Sequence, residues 1–385
     1  MYINTLHLTN FRNYKELSFD VPCSVSVFWG NNAQGKTNLL ESICFLATTR
    51  FSRRVPDREI MNWHSLADTI AFARVAADVV KAERNISLEI ILRPRSLAFE
   101  DTGPSALNKQ TKVNAIGRKA VDYIGQLNTV MFSPRDIDLI TEEPSLRRRY
   151  LDITNSQIDR SYLRGLQRYN KVLSRRNHLL RHIAAGHSRP DELQFWDEEL
   201  IANGAYLIYR RKGMLAALQA LAEPIHDELS AGKEKLALEY VCSLMENQEA
   251  GPEDIEKAFG NALASQREKE ILRGQSLIGP HRDDLKFLIN GIDMGSYGSR
   301  GQQRTIALSI RLAEAEFMMN QTGQAPVLLL DDVLSELDAQ RRRHLLSKVT
   351  GYEQVLITST DLDHFPGTFL DHGEVFEVSD GKIVS

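Results

Sequence analysis

A stretch near the N-terminus, VFWGNNAQGKTNLLESICFLA at residues 27–47, decides the fold. Its central part fits the pattern G-x-x-x-x-G-K-T, which cradles nucleotide phosphates. The apolar run SVSVFW before it predicts a buried strand, and Leu39, Ile43 and Leu46 recur at helical spacing after it. A strand, a glycine-rich loop and a helix in this order are typical of a phosphate-binding site. A chance glycine turn is the alternative, and the flanking strand and helix make it the weaker explanation.

The loop supplies each group that a triphosphate and its cation require. Glycines let backbone N–H groups converge on phosphate oxygens, and the N-terminus of the following helix adds a partial positive charge. Lys36 is expected to reach the β- and γ-phosphates, and Thr37 is expected to hold Mg²⁺. The predicted ATP-binding residues of the loop are Gly30, Asn31, Asn32, Ala33, Gln34, Gly35, Lys36 and Thr37.

A second stretch, APVLLLDDVLSELD at residues 325–338, predicts a buried strand that ends in two carboxylates. Asp331 is expected to bind Mg²⁺, as the aspartate at this position does in P-loop ATPases. Asp332 can accept a proton from the attacking water, so Asp332 and Lys36 are the candidate catalytic residues. A solvated acidic turn is the alternative, and the phosphate loop makes that explanation the weaker one.

The distance between these two stretches predicts the domain organisation. Lys36 and Asp331 are 295 positions apart, so the two halves of one site come from opposite ends of the chain. Apolar residues at helical spacing between them predict an αα-hairpin over about 157–223, whose second arm ends at Pro224. We predict an N-terminal part of the ATPase lobe at residues 1–140, a mostly helical second lobe at 141–298, and a C-terminal part of the ATPase lobe at 299–385.

The strand pattern predicts an α/β fold with two kinds of sheet. Helices alternate with the apolar runs VLLL (327–330) and QVLIT (354–358), which implies a parallel sheet around the phosphate loop. Two β-rich runs within residues 69–93 predict an antiparallel β subdomain attached to that sheet.

A third stretch, YGSRGQQRTIALSIRLAEAEF at residues 297–317, predicts a long helix that begins with a serine and a glycine. Such a helix end can bind anions. Because the first loop already holds the phosphates, we expect this end to cap the γ-phosphate of ATP held by a second subunit. An ordinary serine N-cap is the alternative. The residues with this expected role in trans are Ser299, Arg300, Gly301 and Gln302.

Together the three stretches resemble the ABC-type ATPases of chromosome maintenance, the SMC-like group, and within that group the RecF family. Other segments that fit the family follow in order along the chain: NFRNY (10–14), FSPRDIDLI (132–140), RRRYLD (147–152) and GPHRDDL (279–285). The resemblance implies an ABC-type ATPase head, made of a P-loop sheet and an antiparallel β subdomain, with an inserted and mostly α-helical second lobe.

The resemblance also implies a function in recombinational DNA repair and replication. Members bind ATP and Mg²⁺, dimerise head to head around two nucleotides, and hydrolyse ATP slowly. The expected partners are double-stranded and gapped DNA, a second copy of the chain, and RecR, with RecO and RecA acting downstream. By position, the resemblance places Arg12 near the nucleotide and Asp338 in contact with the other subunit. The chain departs from many ABC ATPases at Asp332, where transporters usually carry glutamate, and at residues 359–361, where a histidine is common.

Composition and charge limit the remaining functions. The formal net charge of −4 excludes a wholly basic nucleic-acid binder but not a local basic face. Three widely spaced cysteines indicate neither a disulfide framework nor a zinc ribbon. The N-terminus lacks the pattern of a signal peptide, and no run approaches the roughly 20 apolar residues of a membrane span. We therefore expect a cytoplasmic protein that does not bind membranes.

The candidate DNA-binding surface lies on the first arm of the predicted hairpin. Four basic residues recur there at three- and four-residue spacing, which places them on one helix face: Arg164, Arg168, Lys171 and Arg175. Such a face suits phosphate contacts that do not depend on base sequence. A solvated helix face is the simpler explanation for any single basic cluster, including the adjacent Arg176 and residues 147–149, 210–212 and 341–343.

Three alternative functions explain the sequence less well. The ATPase subunit of a membrane transporter keeps its two nucleotide motifs much closer together. A relative that bridges DNA through a long coiled coil needs longer arms, and a P-loop kinase leaves the third stretch unexplained. In GPHRDD (279–284), His281 and the two aspartates could bind a metal, but adjacent residues at a strand start point to opposite faces, so we expect a structural role.

Overall fold

The computed structural model describes residues 1–51, 59–63, 65, 71–82, 84–94, 107–244, 251–371 and 373–384. The chain divides into two compact units. Unit 1 comprises residues 1–136 and 314–385, and unit 2 comprises residues 137–313. The two ends of the chain therefore fold together, and unit 2 is inserted between them in the sequence.

Within the described residues, the strands form two six-stranded sheets in unit 1 and one three-stranded sheet in unit 2. In chain order they are β1 Tyr2–Phe11, β2 Tyr14–Asp20, β3 Val25–Trp29, β4 Ala73–Val80, β5 Asn85–Pro94, β6 Leu107–Val113, β7 Ile116–Arg118, β8 Thr129–Phe132, β9 Leu236–Val241, β10 Asp284–Ile289, β11 Ile292–Asp293, β12 Val327–Asp331, β13 Val355–Ser359, β14 Gly373–Ser379 and β15 Lys382–Val384.

The helices range from single turns to more than ten turns. In chain order they are α1 Lys36–Thr48, α2 Ala120–Tyr123, α3 Asp138–Thr141, α4 Pro144–Ile158, α5 Arg160–Ala184, α6 Gln194–Ser230, α7 Pro252–Arg273, α8 Met294–Tyr297, α9 Arg300–Thr322, α10 Ala339–Val349 and α11 Gly367–Leu370. Among the described residues, none of these helices combines the length and the apolar character needed to cross a membrane.

One sheet of unit 1 carries the nucleotide motifs. Its strand order is β15-β14-β3-β13-β12-β8, in which β14, β3, β13, β12 and β8 run parallel and β15 is antiparallel. All residues of β12 and β13 are buried, as expected for parallel strands covered on both faces. In this order only β13 lies between β3 and β12. Strand β3 precedes the glycine loop, and β12 ends at Asp331.

The second sheet of unit 1 is antiparallel, with the order β2-β1-β4-β5-β6-β7. Helix α1 contacts strands of both sheets, and its apolar residues share one hydrophobic core with β1, β4, β5 and β12. The predicted α/β fold, with a P-loop sheet and an antiparallel β subdomain, is confirmed. The β6–β7 hairpin extends this sheet beyond the two β-rich runs within residues 69–93 that the sequence indicated.

Unit 2 is mainly helical. Helices α5 and α6 form an antiparallel hairpin, and α7 packs against both arms around a core that includes Tyr169, Leu200 and Phe259. The contact is close at Gly204 of α6, where a Cβ atom would lie 2.5 Å from the Phe259 ring. The small sheet β11-β10-β9 completes the unit, with the Asn290-Gly291 turn between β10 and β11.

Two features of unit 2 differ from the sequence prediction. Helix α6 does not end at Pro224 but continues to Ser230. An internal proline costs about 3 kcal/mol, which the burial of Ile225, His226 and Leu229 offsets. The residues that follow Pro224 therefore belong to the packed face of the helix.

The unit boundaries also differ, because they fall at residues 136/137 and 313/314 rather than at 140/141 and 298/299. The second boundary lies within α9. Residues in the first half of α9 have partners in unit 2, since Gln302 donates to Glu234 at 2.9 Å and Ser309 lies 3.2 Å from His226.

The GPHRDD segment makes contacts inside unit 2. Its three candidate ligands have separate partners: His281 Nδ1 lies 2.6 Å from the Tyr169 hydroxyl, Tyr240 donates to Asp283 at 2.7 Å, and Arg147 donates to both carboxylate oxygens of Asp284. Within the described ranges, no three or more histidine, cysteine or acidic side chains are arranged to hold a metal ion. These contacts give the segment a structural role.

Candidate nucleotide-binding site

The glycine loop has a backbone conformation that requires its two glycines. Gly30 has φ 148° and Gly35 has φ 114°, values that side chains rarely permit. A Cβ atom on Gly30 would lie 2.4 Å from the Val378 carbonyl oxygen, and one on Gly35 would lie 2.5 Å from Asn13 Nδ2. The loop is therefore shaped both by its own torsions and by its neighbours.

Two asparagines that the sequence analysis did not single out hold the loop in place. Asn13 Nδ2 donates to the Gln34 carbonyl at 3.0 Å, and Asn38 Nδ2 donates to Asn13 Oδ1 at 2.8 Å. The Gly381 N–H, from the β14–β15 turn, donates to the same Gln34 carbonyl. Asn13 belongs to the segment NFRNY, which fits the family, but the sequence alone did not indicate a role for this asparagine.

The N-terminus of α1 offers an anion-binding end. In α1, which is described throughout, no side chain caps the first turn and no acidic residue occurs there. Leu39 is the donor to Gly35 at 3.0 Å, and the N–H groups before it have no place in the α-helical hydrogen-bond ladder. Lys36 Nζ donates to the carbonyls of Gly30 and Asn31, each at 2.7 Å, which uses two of its three N–H bonds.

The two ends of the chain meet at Asp331. The Thr37 hydroxyl donates to Asp331 Oδ1 at 2.8 Å across 294 residues of sequence. The Thr358 hydroxyl donates to the same oxygen at 2.9 Å. A threonine hydroxyl and a carboxylate are hard oxygen ligands, which fit Mg²⁺. The donor set at this point therefore suits the cation that the sequence predicted.

The charged groups of the site influence one another. Burial raises the pKa of Asp331, and hydrogen bonds from Thr37 and Thr358 oppose that effect. Burial also raises the pKa of Asp332, and the nearby charge of Lys36 lowers it. Conversely, burial lowers the pKa of Lys36, while the two aspartates raise it. A cation or a bound phosphate would thus enter a site whose charges already depend on each other.

Asp332 has an unusual backbone and a buried carboxylate oxygen. Its φ of 49° lies in the left-handed region. Its N–H donates to the Thr358 carbonyl at 3.2 Å and to the Thr358 hydroxyl at 3.0 Å. Its Oδ1 atom is buried and has no hydrogen-bond partner in the described part of the chain. The Asp332 side chain nevertheless borders the cavity.

These groups border a cavity of about 180 Å³. It is lined by Asn32, Ala33, Gly35, Lys36, Thr37, Asn38, Asp331 and Asp332. The expected loop residues Gly30, Asn31 and Gln34 are absent from this lining and act through the backbone contacts described above. The structure thus brings the two predicted nucleotide motifs together around one concave site.

Arg12, which was expected near the nucleotide, does not line the cavity. Its guanidinium donates to Glu41 at 2.8 Å and to the Glu59 carbonyl at 3.0 Å, and lies 5.2 Å from the Phe51 ring centroid. These contacts hold the Arg12 side chain against Glu41 of α1. The segment NFRNY alone did not indicate these structural contacts.

The chain matches known proteins along its whole length. The family model of the RecF/RecN/SMC N-terminal domain matches residues 2–368. A DNA replication and repair protein RecF of Chloroflexus aurantiacus is 44% identical, covering 100% of this chain and 99% of that protein. The chain belongs to the RecF family. A RecF of Enterococcus faecalis is 38% identical, covering 100% and 98% of the two chains.

Solved structures agree with this assignment to the RecF family. The structure of the recombination mediator protein RecF-ATP in the RecFOR pathway has a TM-score of 0.87 and 35% identity, covering 100% of this chain and 97% of that one. An Smc head bound to the C-terminal winged-helix domain of ScpA has a TM-score of 0.56 at 15% identity and shows the shared fold alone. The family predicted from the sequence is confirmed, and a membrane-transporter subunit is not favoured.

The third RecF-family stretch forms a capping box at the start of α9. The Ser299 N–H donates to Gln302 Oε1 at 3.0 Å, and the Gln302 N–H donates to Ser299 Oγ at 3.3 Å. Ser299, Arg300 and Gly301 are exposed. Within one chain the segment is therefore an N-cap with an open surface. The pattern S-x-x-Q carried this signal in the sequence.

Asp338 has a similar local role in the RecF-family segment SELD. Its carboxylate accepts hydrogen bonds from the backbone N–H groups of Gln340 and Arg341 and caps α10. The Arg341 side chain also donates to it at 2.6 Å. The backbone hydrogen bond from Arg341 is the main reason that the pKa of Asp338 is lowered.

The basic face of α5 is exposed, with one internal ion pair. Arg164, Arg168, Lys171 and Arg175 are all exposed. Arg168 donates to both carboxylate oxygens of Glu199, each at 2.8 Å. Arg176, which the sequence grouped with these residues, is instead fully buried beside Asp197. The basic face therefore excludes Arg176.

Proposed function

We propose that the chain is an ATP-dependent DNA-binding ATPase of DNA replication and repair, in which ATP binding drives head-to-head dimerisation on DNA. The observation that carries the proposal is the hydrogen bond from Thr37 to Asp331, which joins the two nucleotide motifs in a chain that is similar to RecF proteins from end to end. The match to a RecF-ATP structure supports ATP as the nucleotide.

The proposed ATPase chemistry uses groups that lie within the cavity. Lys36 and the free N–H groups of α1 bind the phosphates, and Thr37 and Asp331 hold Mg²⁺. The cation, when bound, neutralises charge that develops on the phosphate oxygens. Asp332 borders the cavity, where its carboxylate orients the attacking water and accepts its proton. Its side chain is shorter than glutamate, which is consistent with slow hydrolysis.

The proposed dimer uses surfaces that are open in the single chain. Ser299, Arg300 and Gly301 are exposed at the N-terminus of a 23-residue helix, where backbone N–H groups favour an anion. In the dimer, this end and Gln302 contact the γ-phosphate of the nucleotide held by the other subunit, and Asp338 contacts the same neighbour. Each nucleotide then lies between the phosphate-binding cavity of one subunit and the N-terminus of α9 of the other.

DNA binds along the basic face of α5 in this proposal. The charged groups recur over Arg164–Arg175, so they can follow a phosphate backbone without reading its bases. RecR and RecO are the proposed protein partners, and delivery of RecA to single-strand gaps is the proposed outcome. The relative of known structure belongs to the RecFOR pathway, which supports this choice of partners.

A charge-matched pair of triple variants tests the DNA surface. Replacing Arg164, Lys171 and Arg175 by alanine should weaken binding of a duplex in Mg-ATP. It should also reduce the slope of log affinity against log salt concentration by the equivalent of about three phosphate contacts. The measurement is the anisotropy of a fluorescent duplex at several salt concentrations. As a control, three exposed basic residues of α7 are removed together: Lys257, Lys269 and Arg273. Equal losses from both triple variants would reject the α5 face as the binding surface.

A further inference from the structure

The side chain of Thr358 connects the two aspartates of the cavity. Thr358 belongs to β13 and lies directly beside Asp331 of β12 in the parallel register. The residue is fully buried. Its hydroxyl contacts Asp331 Oδ1 at 2.9 Å and accepts the N–H of Asp332 at 3.0 Å. One small side chain thus contacts both residues on which the cation and the water depend.

The surroundings of this hydroxyl fix the direction of its single proton. The Asp332 N–H occupies one lone pair of Oγ1. The proton can then point to Asp331 Oδ1 at 2.9 Å or to the Leu330 carbonyl at 3.4 Å. The contact to Asp331 is the shorter of the two and therefore the stronger hydrogen bond. The hydroxyl therefore donates to the Asp331 carboxylate and orients it.

The same residue holds the strained backbone of Asp332. A left-handed conformation is strained for a non-glycine residue, and Asp332 has φ 49°. Two hydrogen bonds from its N–H to Thr358, one to the carbonyl and one to the hydroxyl, offset this strain. They also fix the point from which the Asp332 side chain leaves the main chain.

We propose that Thr358 is a positioning residue of the ATPase site, whose hydroxyl orients the Asp331 carboxylate toward the divalent cation and anchors the backbone of Asp332. The proposal rests on the proposed function, because it requires that Asp331 hold the Mg²⁺ of a bound nucleotide. A buried threonine with only a packing role would need its methyl group and not its hydroxyl.

The test compares Thr358→Val, which removes the hydroxyl and keeps the shape, with Thr358→Ser, which keeps the hydroxyl. The probe is the fluorescent nucleotide mant-ADP, whose affinity is measured in EDTA and during a Mg²⁺ titration. We expect Thr358→Val to raise the half-saturating Mg²⁺ concentration by about 10- to 100-fold. Affinity in EDTA should stay unchanged, and Thr358→Ser should resemble the wild type in both measurements.

The affinity in EDTA separates positioning from general damage. Loss of the hydroxyl should weaken only the Mg²⁺-dependent part of nucleotide binding, and Thr358→Ser should restore it. A general folding defect would lower the EDTA affinity as well.

The outcomes distinguish this inference from the proposed function. If Thr358→Val keeps the wild-type Mg²⁺ requirement, the positioning role is wrong and the ATPase proposal stands. If wild-type protein gives no Mg²⁺-dependent change with mant-ADP, the proposed cation site itself is wrong. Circular dichroism checks that each variant is folded, and Thr358→Ala repeats the comparison if valine disturbs the packing.

Discussion

We expect Lys36→Met to lower the rate of ATP hydrolysis by at least about 100-fold, the loss typical when one preorganised donor is removed from a developing charge. The Lys36 ammonium group lies between two loop carbonyls and beside the two aspartates, and its side chain is buried. Methionine keeps the length of the side chain but supplies neither charge nor N–H donors. Turnover with saturating Mg-ATP measures the effect.

A matched variant shows whether this loss is specific. Lys119 is exposed on the surface of the same unit, so Lys119→Met makes the same chemical change outside the cavity. That variant should hydrolyse ATP at the wild-type rate. A Lys36→Met protein that is folded and turns over ATP within about threefold of wild type would contradict the role of Lys36, since such a ratio is below 1 kcal/mol.

The second large effect concerns the stability of unit 2. Arg176→Ala should lower the free energy of unfolding by about 3–5 kcal/mol, because it leaves the buried Glu270 carboxylate without its ion-pair partner and removes one of the two arginines that pair with Asp197. Arg176 is fully buried and lies 2.7 Å from Asp197 and 2.7 Å from Glu270. It also donates to the Ser276 hydroxyl at 2.7 Å. Urea unfolding followed by circular dichroism measures the change.

The neighbouring residue provides the control. Arg175 is exposed, so Arg175→Ala should change the unfolding free energy by no more than about 0.5 kcal/mol. Combining Arg176→Met with Glu270→Gln should recover much of the loss, because residue 270 is then neutral and Asp197 keeps its ion pair with Arg267. Equal effects of Arg175→Ala and Arg176→Ala would show that the buried ion pairs do not stabilise the unit.

Local motifs explain why much of the site could be predicted from the sequence. The phosphate loop is a continuous segment whose glycines, lysine and threonine have fixed spacing, and β12 is an apolar run that ends at Asp331. Neither depends on distant residues for its recognition. The capping box at Ser299 was also available as the pattern S-x-x-Q, although a role in trans does not follow from the contacts within one chain.

Contacts between distant segments could not be predicted in the same way. Thr358 meets Asp331 only because β13 pairs with β12 in one register. Arg176 lies at helical spacing in line with the buried residues Tyr169, Val172 and Leu180, so the sequence pattern indicated that it is buried. Its ion-pair partners, however, lie 21 and 94 positions away in the sequence and could not be predicted. Arg12 likewise turned to Glu41 instead of the cavity.

The central claim is that ATP joins two copies of the chain, and sedimentation velocity tests it most directly. The Asp332→Asn protein, which should bind ATP and hydrolyse it poorly, is examined with Mg-ATP and a fluorescent gapped duplex. We predict an ATP-dependent shift from monomer to dimer that carries the duplex along. Adding Ser299→Arg to this variant should keep it monomeric while its ATP affinity stays unchanged. A protein that stays monomeric with ATP and DNA, or a Ser299→Arg variant that dimerises normally, would contradict the account.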